Sequence, residues 1–321
     1  MKRREFLRLA GAGVAAGATG AAAAHEFVPY IVGANTAITG YGLYESIGLL
    51  RAIGFPAIEV QNLVGVPEPA PGKFPGFRLD EISDAEKPKI KQALAGFDFV
   101  TTHLPYTGLE YFAPTGPAAD EGIRTFEMAM RATGFLEAKI AVMHPKPGPD
   151  MTLEETWPIM LRRIRRWGDM ARDMGFRLAL ETGYPQSVRD FVRLVQEVDH
   201  ENVGAIIDVG HQGRYAELVA RVKPEERATP AGIKAYNDTT LEIVERLGPK
   251  VIHFHVHDIE PETWREHQPL IHGFVDYPRL IAKLREIRYG GALVFEIGGP
   301  PEQMPGWLSD GKRKLEGYLA G

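Results

Sequence analysis

The stretch Val251-Ile252-His253-Phe254-His255-Val256-His257-Asp258 constrains this chain more than any other. Read as a strand, its side chains alternate, so His253, His255 and His257 share one face while Phe254 and Val256 take the other. Three imidazoles on one side of a buried strand make a poor apolar core. They suit a metal or proton-transfer site, with Asp258 waiting where the strand ends. The fold must bury this strand and bring other polar groups against its histidine face.

From residue 28 onward, short β-branched runs alternate with amphipathic helical stretches. Strands are expected at Val28–Ala34, Ala57–Gln61, Phe97–His103, Lys139–His144, Arg177–Glu181, Val203–Asp208, Val251–His257 and Ala292–Ile297. A first helix is expected over Tyr44–Ile53, stopped by Gly54. Eight strands separated by helices imply a parallel sheet, and eight such units close most naturally into a single (β/α)8 TIM barrel over residues 25–321. With 321 residues, 44% of them hydrophobic, the chain can fill one such core. Ser83…Glu86 and Thr152…Glu155 fit the capping box that opens a helix. The basic run Arg162-Arg163-Ile164-Arg165-Arg166 reads as a solvated outer helix face. There is no cysteine, so any metal must be held by His, Asp and Glu.

The polar residues are not scattered. His103, His144, Glu181, Asp208, His255 and Glu296 each sit at or beside the C-terminal end of an expected strand, so all six should face one spot. Clustered carboxylates repel one another unless a cation lies among them. Glu181, Asp208, His255 and Glu296 are the expected ligands, and their mixed N/O set suits Mn²⁺, Mg²⁺, Co²⁺ or Zn²⁺ without choosing among them. His211, three residues after Asp208, returns toward the site as a second-metal or substrate contact. The Pro/Gly-rich loops Val66–Phe77 and Pro105–Pro117 emerge on the same barrel face. In the second loop Tyr106, Tyr111 and Phe112 either wall a sugar-sized pocket or pin the loop.

Ala179-Leu180-Glu181, Ile206-Ile207-Asp208-Val209-Gly210-His211, His253-Phe254-His255-Val256-His257-Asp258 and Leu293-Val294-Phe295-Glu296-Ile297 together resemble the xylose isomerase-like TIM-barrel superfamily, and within it the sugar isomerase/epimerase group. The segments His272–Tyr277 and Ile287–Gly291 resemble that group's run into the last strand. The resemblance covers roughly residues 28–300 and is specific to the superfamily, not to a substrate. It implies a divalent metal on Glu181, Asp208, His255 and Glu296. It also implies an isomerase or epimerase in which Glu181 and Glu296 flank the substrate carbon. One would take a proton α to a carbonyl and the other return it through a metal-stabilised enediolate. His211 would orient a substrate hydroxyl.

The chain departs from that pattern in places. His257 stands where relatives often carry Lys, Ile271-His272-Gly273 replaces a Gly-Glu-Gly, and Arg265 is the candidate for a substrate-binding arginine. An extra imidazole at His257 or His144 could act as base in a β-elimination, which makes a lyase or hydrolase acting on keto-glycosides the alternative. The chain also resembles the apurinic endonucleases. In their three-zinc ligand set His103, His144, Glu181, Asp208, His211, His255, His267 and Glu296 have counterparts, and Arg265 replaces an expected Asp. A non-catalytic sugar-binding barrel is the remaining class.

Residues 1–24 stand apart. Lys2-Arg3-Arg4-Glu5-Phe6-Leu7-Arg8, followed by an Ala/Gly stretch ending at Ala24, resembles a Tat export signal and implies a periplasmic or exported protein. The stretch is too glycine-rich for a stable membrane span. The formal charge is −5, and losing this basic segment leaves the remainder more acidic still. That argues against a nucleic-acid partner and for a small-molecule sugar or sugar derivative. Relatives of this kind are often homo-oligomers, and the same is expected here.

Overall fold

The computed structural model describes residues 30–61, 73–271 and 273–321. The expected export segment, the start of the loop Val66–Phe77, and His272 lie outside the described residues. Eight parallel strands form a closed barrel in sequential order. They are β1 (Ile31–Asn35), β2 (Ala57–Gln61), β3 (Phe99–His103), β4 (Ile140–Met143), β5 (Arg177–Glu181), β6 (Val203–Asp208), β7 (Val251–Val256) and β8 (Ala292–Phe295). Each expected strand is present. β3 begins two residues later than the apolar run suggests, and β4 and β8 stop before His144 and Glu296, which open the following loops.

Helices pack around the barrel and bury the outward strand residues. Ile58, Val60, Leu178, Leu180, Ile207, Phe254, Val256, Leu293 and Phe295 belong to this outer core. The helix over Leu43–Ile53 ends where Gly54 adopts a φ of 85°, the left-handed conformation that favours glycine. The Thr152 capping box forms as expected. Glu155 N–H donates to Thr152 Oγ1 at 3.2 Å and Thr152 N–H donates to Glu155 Oε2 at 2.8 Å. Only half of the Ser83–Glu86 box forms, in the turn before the helix Lys87–Leu94: Ser83 N–H and Oγ–H donate to Glu86 Oε2, but Glu86 N–H donates to the Ser83 carbonyl and not to its hydroxyl. No helix among the described residues is long and apolar enough to cross a membrane.

The basic run is only partly a solvated face. Arg163 donates to the carbonyls of Tyr111, Ala113 and Pro114, and Arg165 to those of Val198 and Glu197. Arg163 thus satisfies loop carbonyls, and Arg165 the last carbonyls of the helix Val188–Val198, which lack partners within the helix.

β7 contains the irregularity on which the site depends. Ala205 pairs with Val251, but Ile206 pairs with His253, so Ile252 is an extra residue in the ladder. Val251 packs with the outer core, whereas Ile252 packs inside with Ile140, Val142, Ala179 and Ile206. Strict alternation would put Val251 on the histidine face. The bulge turns it outward and leaves His253 and His255 pointing into the barrel.

Candidate metal centre

The inward residues of the upper barrel are polar because the strand ends deliver them there. Ligand atoms of Glu181, Asp208, His255 and Glu296 all lie within 4.8 Å of one another. His255 Nδ1 lies 2.8 Å from Glu296 Oε2, 2.9 Å from Glu181 Oε1 and 3.8 Å from Asp208 Oδ2. Burial works against charge on this ring. The Glu59, Glu296 and Glu181 carboxylates around it nevertheless raise His255 well above its ordinary pKa. Burial would likewise raise the Glu181 carboxyl, yet His144 and His255 hold it well below its usual range. Glu296 is held down at about 2, chiefly by His255 against the cost of burial.

Glu181 faces two ways. While Oε1 meets His255, Oε2 lies 3.0 Å from His144 Nε2 and 3.2 Å from His103 Nε2. Those contacts are close but off the hydrogen-bond direction, and Oε2 is a buried oxygen without an aligned donor. His103 Nδ1 lies 3.1 Å from the Leu104 carbonyl, to which its N–H donates, so Nε2 presents either a proton or a lone pair to Glu181. In the metal-free chain a proton there is favoured. Burial opposes it, but Glu181, Glu296 and Glu59 raise His103 to about 9. His103, His144 and Glu181 are thus a second convergent group able to hold a cation.

The site fits a divalent ion on its own chemistry: buried carboxylates, an orphaned carboxylate oxygen, and imidazole nitrogens aimed at shared points. Asp208 is oriented for such a role. Its Oδ1 accepts from the backbone of Gly210 at 2.7 Å and His211 at 3.2 Å, and from His257 Nε2 at 2.9 Å. His257 Nε2 also lies 3.1 Å from Oδ2, the oxygen that faces His255 Nδ1 at 3.8 Å. A Cβ at Gly210 would collide with the His257 ring, so only glycine lets this turn approach.

The other expected residues divide clearly. His211 Nδ1 donates to the Thr182 carbonyl at 2.7 Å, and Nε2 faces Asp208 Oδ1 at 3.8 Å. Burial opposes charge on this ring, but Asp208, Glu181 and Glu266 raise it above its ordinary pKa. His267 Nδ1 donates to the Glu296 carbonyl at 2.9 Å, and its Nε2 joins His211 and Glu266 in a rim group. Arg265 is not brought in. It is exposed and pairs with Glu260 at 3.1 Å, on the surface of the loop. Asp258, expected at the strand end, instead accepts from Ile259, Gly273 and Val275 and anchors the next loop. Tyr111 and Phe112 are buried and pin their loop, Tyr111 donating to the His144 carbonyl at 2.6 Å. Tyr106 walls the site, its ring centroid 3.9 Å from that of His144.

Sequence reasoning missed Glu59 and Glu266. Glu266 sits in an irregular loop and carries no signal. Glu59 did carry one: a carboxylate between Ile58 and Val60, mid-strand in a parallel sheet buried on both faces. A cleft of about 520 Å³ opens beside the centre, walled by Tyr184, Pro185, Lys146 and Gly108–Glu110.

The family model described as xylose isomerase-like TIM barrel matches residues 47–316. No curated protein matches the sequence. Among solved structures, the chain is similar to D-psicose 3-epimerase with D-tagatose from Clostridium cellulolyticum H10, at 14% identity and a TM-score of 0.67, covering 90% of this chain and 99% of that one. It is similar to 3-keto-D-glucoside 4-epimerase from E. coli, at 16% identity and 0.66, covering 90% and 99%. A xylose isomerase-like TIM barrel protein from Mycobacterium smegmatis in complex with magnesium aligns at 17% identity and 0.62, covering 90% and 96%. At these identities the likeness establishes the shared fold.

Proposed function

The chain belongs to the xylose isomerase-like TIM-barrel family, and from that premise we propose that it is a divalent-metal-dependent sugar isomerase or epimerase. The observation that carries this reading is the convergence of Glu181, Asp208 and Glu296 on His255 Nδ1, with Glu296 the carboxylate that solvent reaches. The Glu296 side chain is 20% exposed, whereas those of Glu181 and Asp208 are fully enclosed. Glu181, Asp208, His255 and Glu296 would hold the ion. When bound, it supplies Lewis-acid stabilisation of the charge that develops on substrate oxygens.

The chain's own groups do the rest. Glu296, ionised and reachable, takes the proton from the carbon beside the carbonyl. Glu181, on the far wall, delivers a proton to the opposite face of that carbon, one that it receives through Oε2 from the protonated His103, while Glu296 keeps the proton it took. His211 meets a substrate hydroxyl through Nε2, its ring orientation held by the Thr182 carbonyl. Tyr106 and His144 close the wall and exclude water. The titles of two similar structures name a psicose and a keto-glucoside epimerase, which supports a sugar as substrate.

The cleft beside Tyr184 favours one variant of this reading, a lyase acting on keto-glycosides, because it leaves room for an aglycone. Incubating the protein with ketoses and 3-keto-glycosides in D₂O, with each of Mn²⁺, Mg²⁺, Co²⁺ and Zn²⁺, separates the two. Deuterium at the α-carbon without cleavage supports the epimerase, and release of the aglycone supports the lyase. Neither outcome with any cation would sink the enzyme reading. The twin-arginine run supports export, which fractionation of cells carrying Arg3→Lys and Arg4→Lys together would test.

A further inference from the structure

Beneath the metal centre lies a carboxylate that no step above uses. Glu59 projects from the middle of β2 into the barrel and is fully buried. Three donors surround it. Thr101 Oγ1, its register partner on β3, donates to Oε2 at 2.9 Å, and His253 Nε2 lies 3.1 Å from the same oxygen. His255 Nε2 lies 2.9 Å from Oε1. The opposite nitrogen of that ring is the one facing Glu181, Glu296 and Asp208.

A neutral imidazole carries one proton, and a nitrogen that binds a cation must be the bare one. The proton then has to sit on the nitrogen that meets Glu59. We propose that Glu59 is a positioning residue for His255. By accepting the Nε2 proton it fixes the ring's tautomer and rotation, and so presents Nδ1 to the cation. Thr101 and His253 hold the carboxylate in place, since they satisfy the oxygen that His255 does not reach. The arrangement spans three strands, with Glu59 on β2, Thr101 on β3 and the two histidines on β7. It explains why an ionisable residue is kept mid-strand, where an apolar one would otherwise pack against the inner cluster. The inference rests on the reading that Glu181, Asp208, His255 and Glu296 hold a divalent ion.

The test compares the chelator-treated full chain with its Glu59→Gln variant by calorimetric titration with Zn²⁺ and Mn²⁺. Glutamine keeps the shape but removes the charge that selects the Nε2–H tautomer. Affinity should fall by about 10–100-fold, while the melting point before metal addition and the circular dichroism stay close to those of the parent. A purely structural role would move the metal-free melting point and leave affinity alone, and that result overturns the proposal. Should the variant fail to fold, ¹⁵N-histidine spectra of the Zn²⁺-loaded parent decide. A protonated Nε2 and a metal-shifted Nδ1 at His255 support the role; the reverse assignment removes it. If the parent binds neither ion, the cation reading itself fails and the role of Glu59 goes with it. Unchanged affinity in Glu59→Gln beside a parent that binds would discard Glu59 alone.

Discussion

His257 Nε2 lies 2.9 Å from Asp208 Oδ1, while its Nδ1 accepts the backbone N–H of His267 at 3.0 Å. Nδ1 also lies 3.1 Å from the Asp258 carbonyl, but a backbone amide can only donate and both oxygens of Asp208 face Nε2, so Nδ1 is the bare nitrogen and Nε2 carries the proton to Asp208. Fully buried and committed at both nitrogens, His257 is an orienter of Asp208 and has no free lone pair with which to act as a base. Replacement by Gln should weaken divalent-ion affinity by about 10–100-fold yet leave kcat at saturating metal within a few-fold of the parent. Metal titration beside steady-state kinetics checks this. A large loss of kcat at saturating metal would restore the base role considered from the sequence.

Glu296 is the carboxylate of the cluster that solvent reaches, and it follows β8 directly. Glu296→Gln should lower turnover by about 10²–10⁴-fold, the usual contribution of a positioned acid or base, with deuterium exchange at the α-carbon lost in parallel. Exchange that persists at the parental rate would assign the proton step to another residue.

Stability of the metal-stripped protein should depend on pH from both sides. His103 is raised to about 9 from its ordinary 6.5, so its contribution is complete below about pH 6.5 and is lost as pH rises through about 9. That loss is roughly 3 kcal/mol. Glu296 is lowered to about 2 from 4.5, so its contribution is complete above about pH 4.5 and is lost as pH falls toward 2. Burial lowers His144 and His253, so these two cost stability as pH falls below about 6.5. The clean readout is therefore the alkaline side, where denaturant midpoints of chelated protein should fall as pH rises toward about 9. His103→Gln should flatten the alkaline limb, and an unaltered limb in that variant would show that another group controls it.

Tyr184 lines the cleft and stands edge-on to His144, with ring centroids 6.4 Å apart. Truncation to Ala should cut kcat/KM for a keto-glycoside by about tenfold, as expected for loss of one aromatic contact worth about 1–1.5 kcal/mol, and leave a free ketose nearly unaffected. Equal losses on both substrates would mean that the ring supports the centre and not the aglycone.

The strand order, the barrel and the ends of six strands were legible because parallel buried strands leave unbroken apolar runs that stop at polar residues. His144 and Glu296 fall one residue beyond their strands without losing their place in the site, since the chain has not yet turned away. Glu59 was not legible by the same reasoning, which searched strand ends while this carboxylate lies in the middle of one. The surface position of Arg265 was also hidden. Its partner Glu260 is near in sequence, but which way a loop side chain swings depends on packing that no spacing encodes. The phase of the histidine strand was read correctly for the imidazoles and left unexplained for Val251. A bulge adds a residue without changing composition, so nothing in the string of letters marks it.

The extra residue at Ile252 gives the seventh stave one place where its length can change. Without it, Val251 opposite Ala205 and His253 opposite Ile206 would simply follow one another, the first outward and the imidazoles still inward. Past that point the strand is unforgiving. Losing one amino acid between His253 and His257 would turn the later imidazoles by half a turn, among greasy helix flanks. Variation in what this scaffold accepts should therefore accumulate at its rim, with the spacing of the three imidazoles held constant.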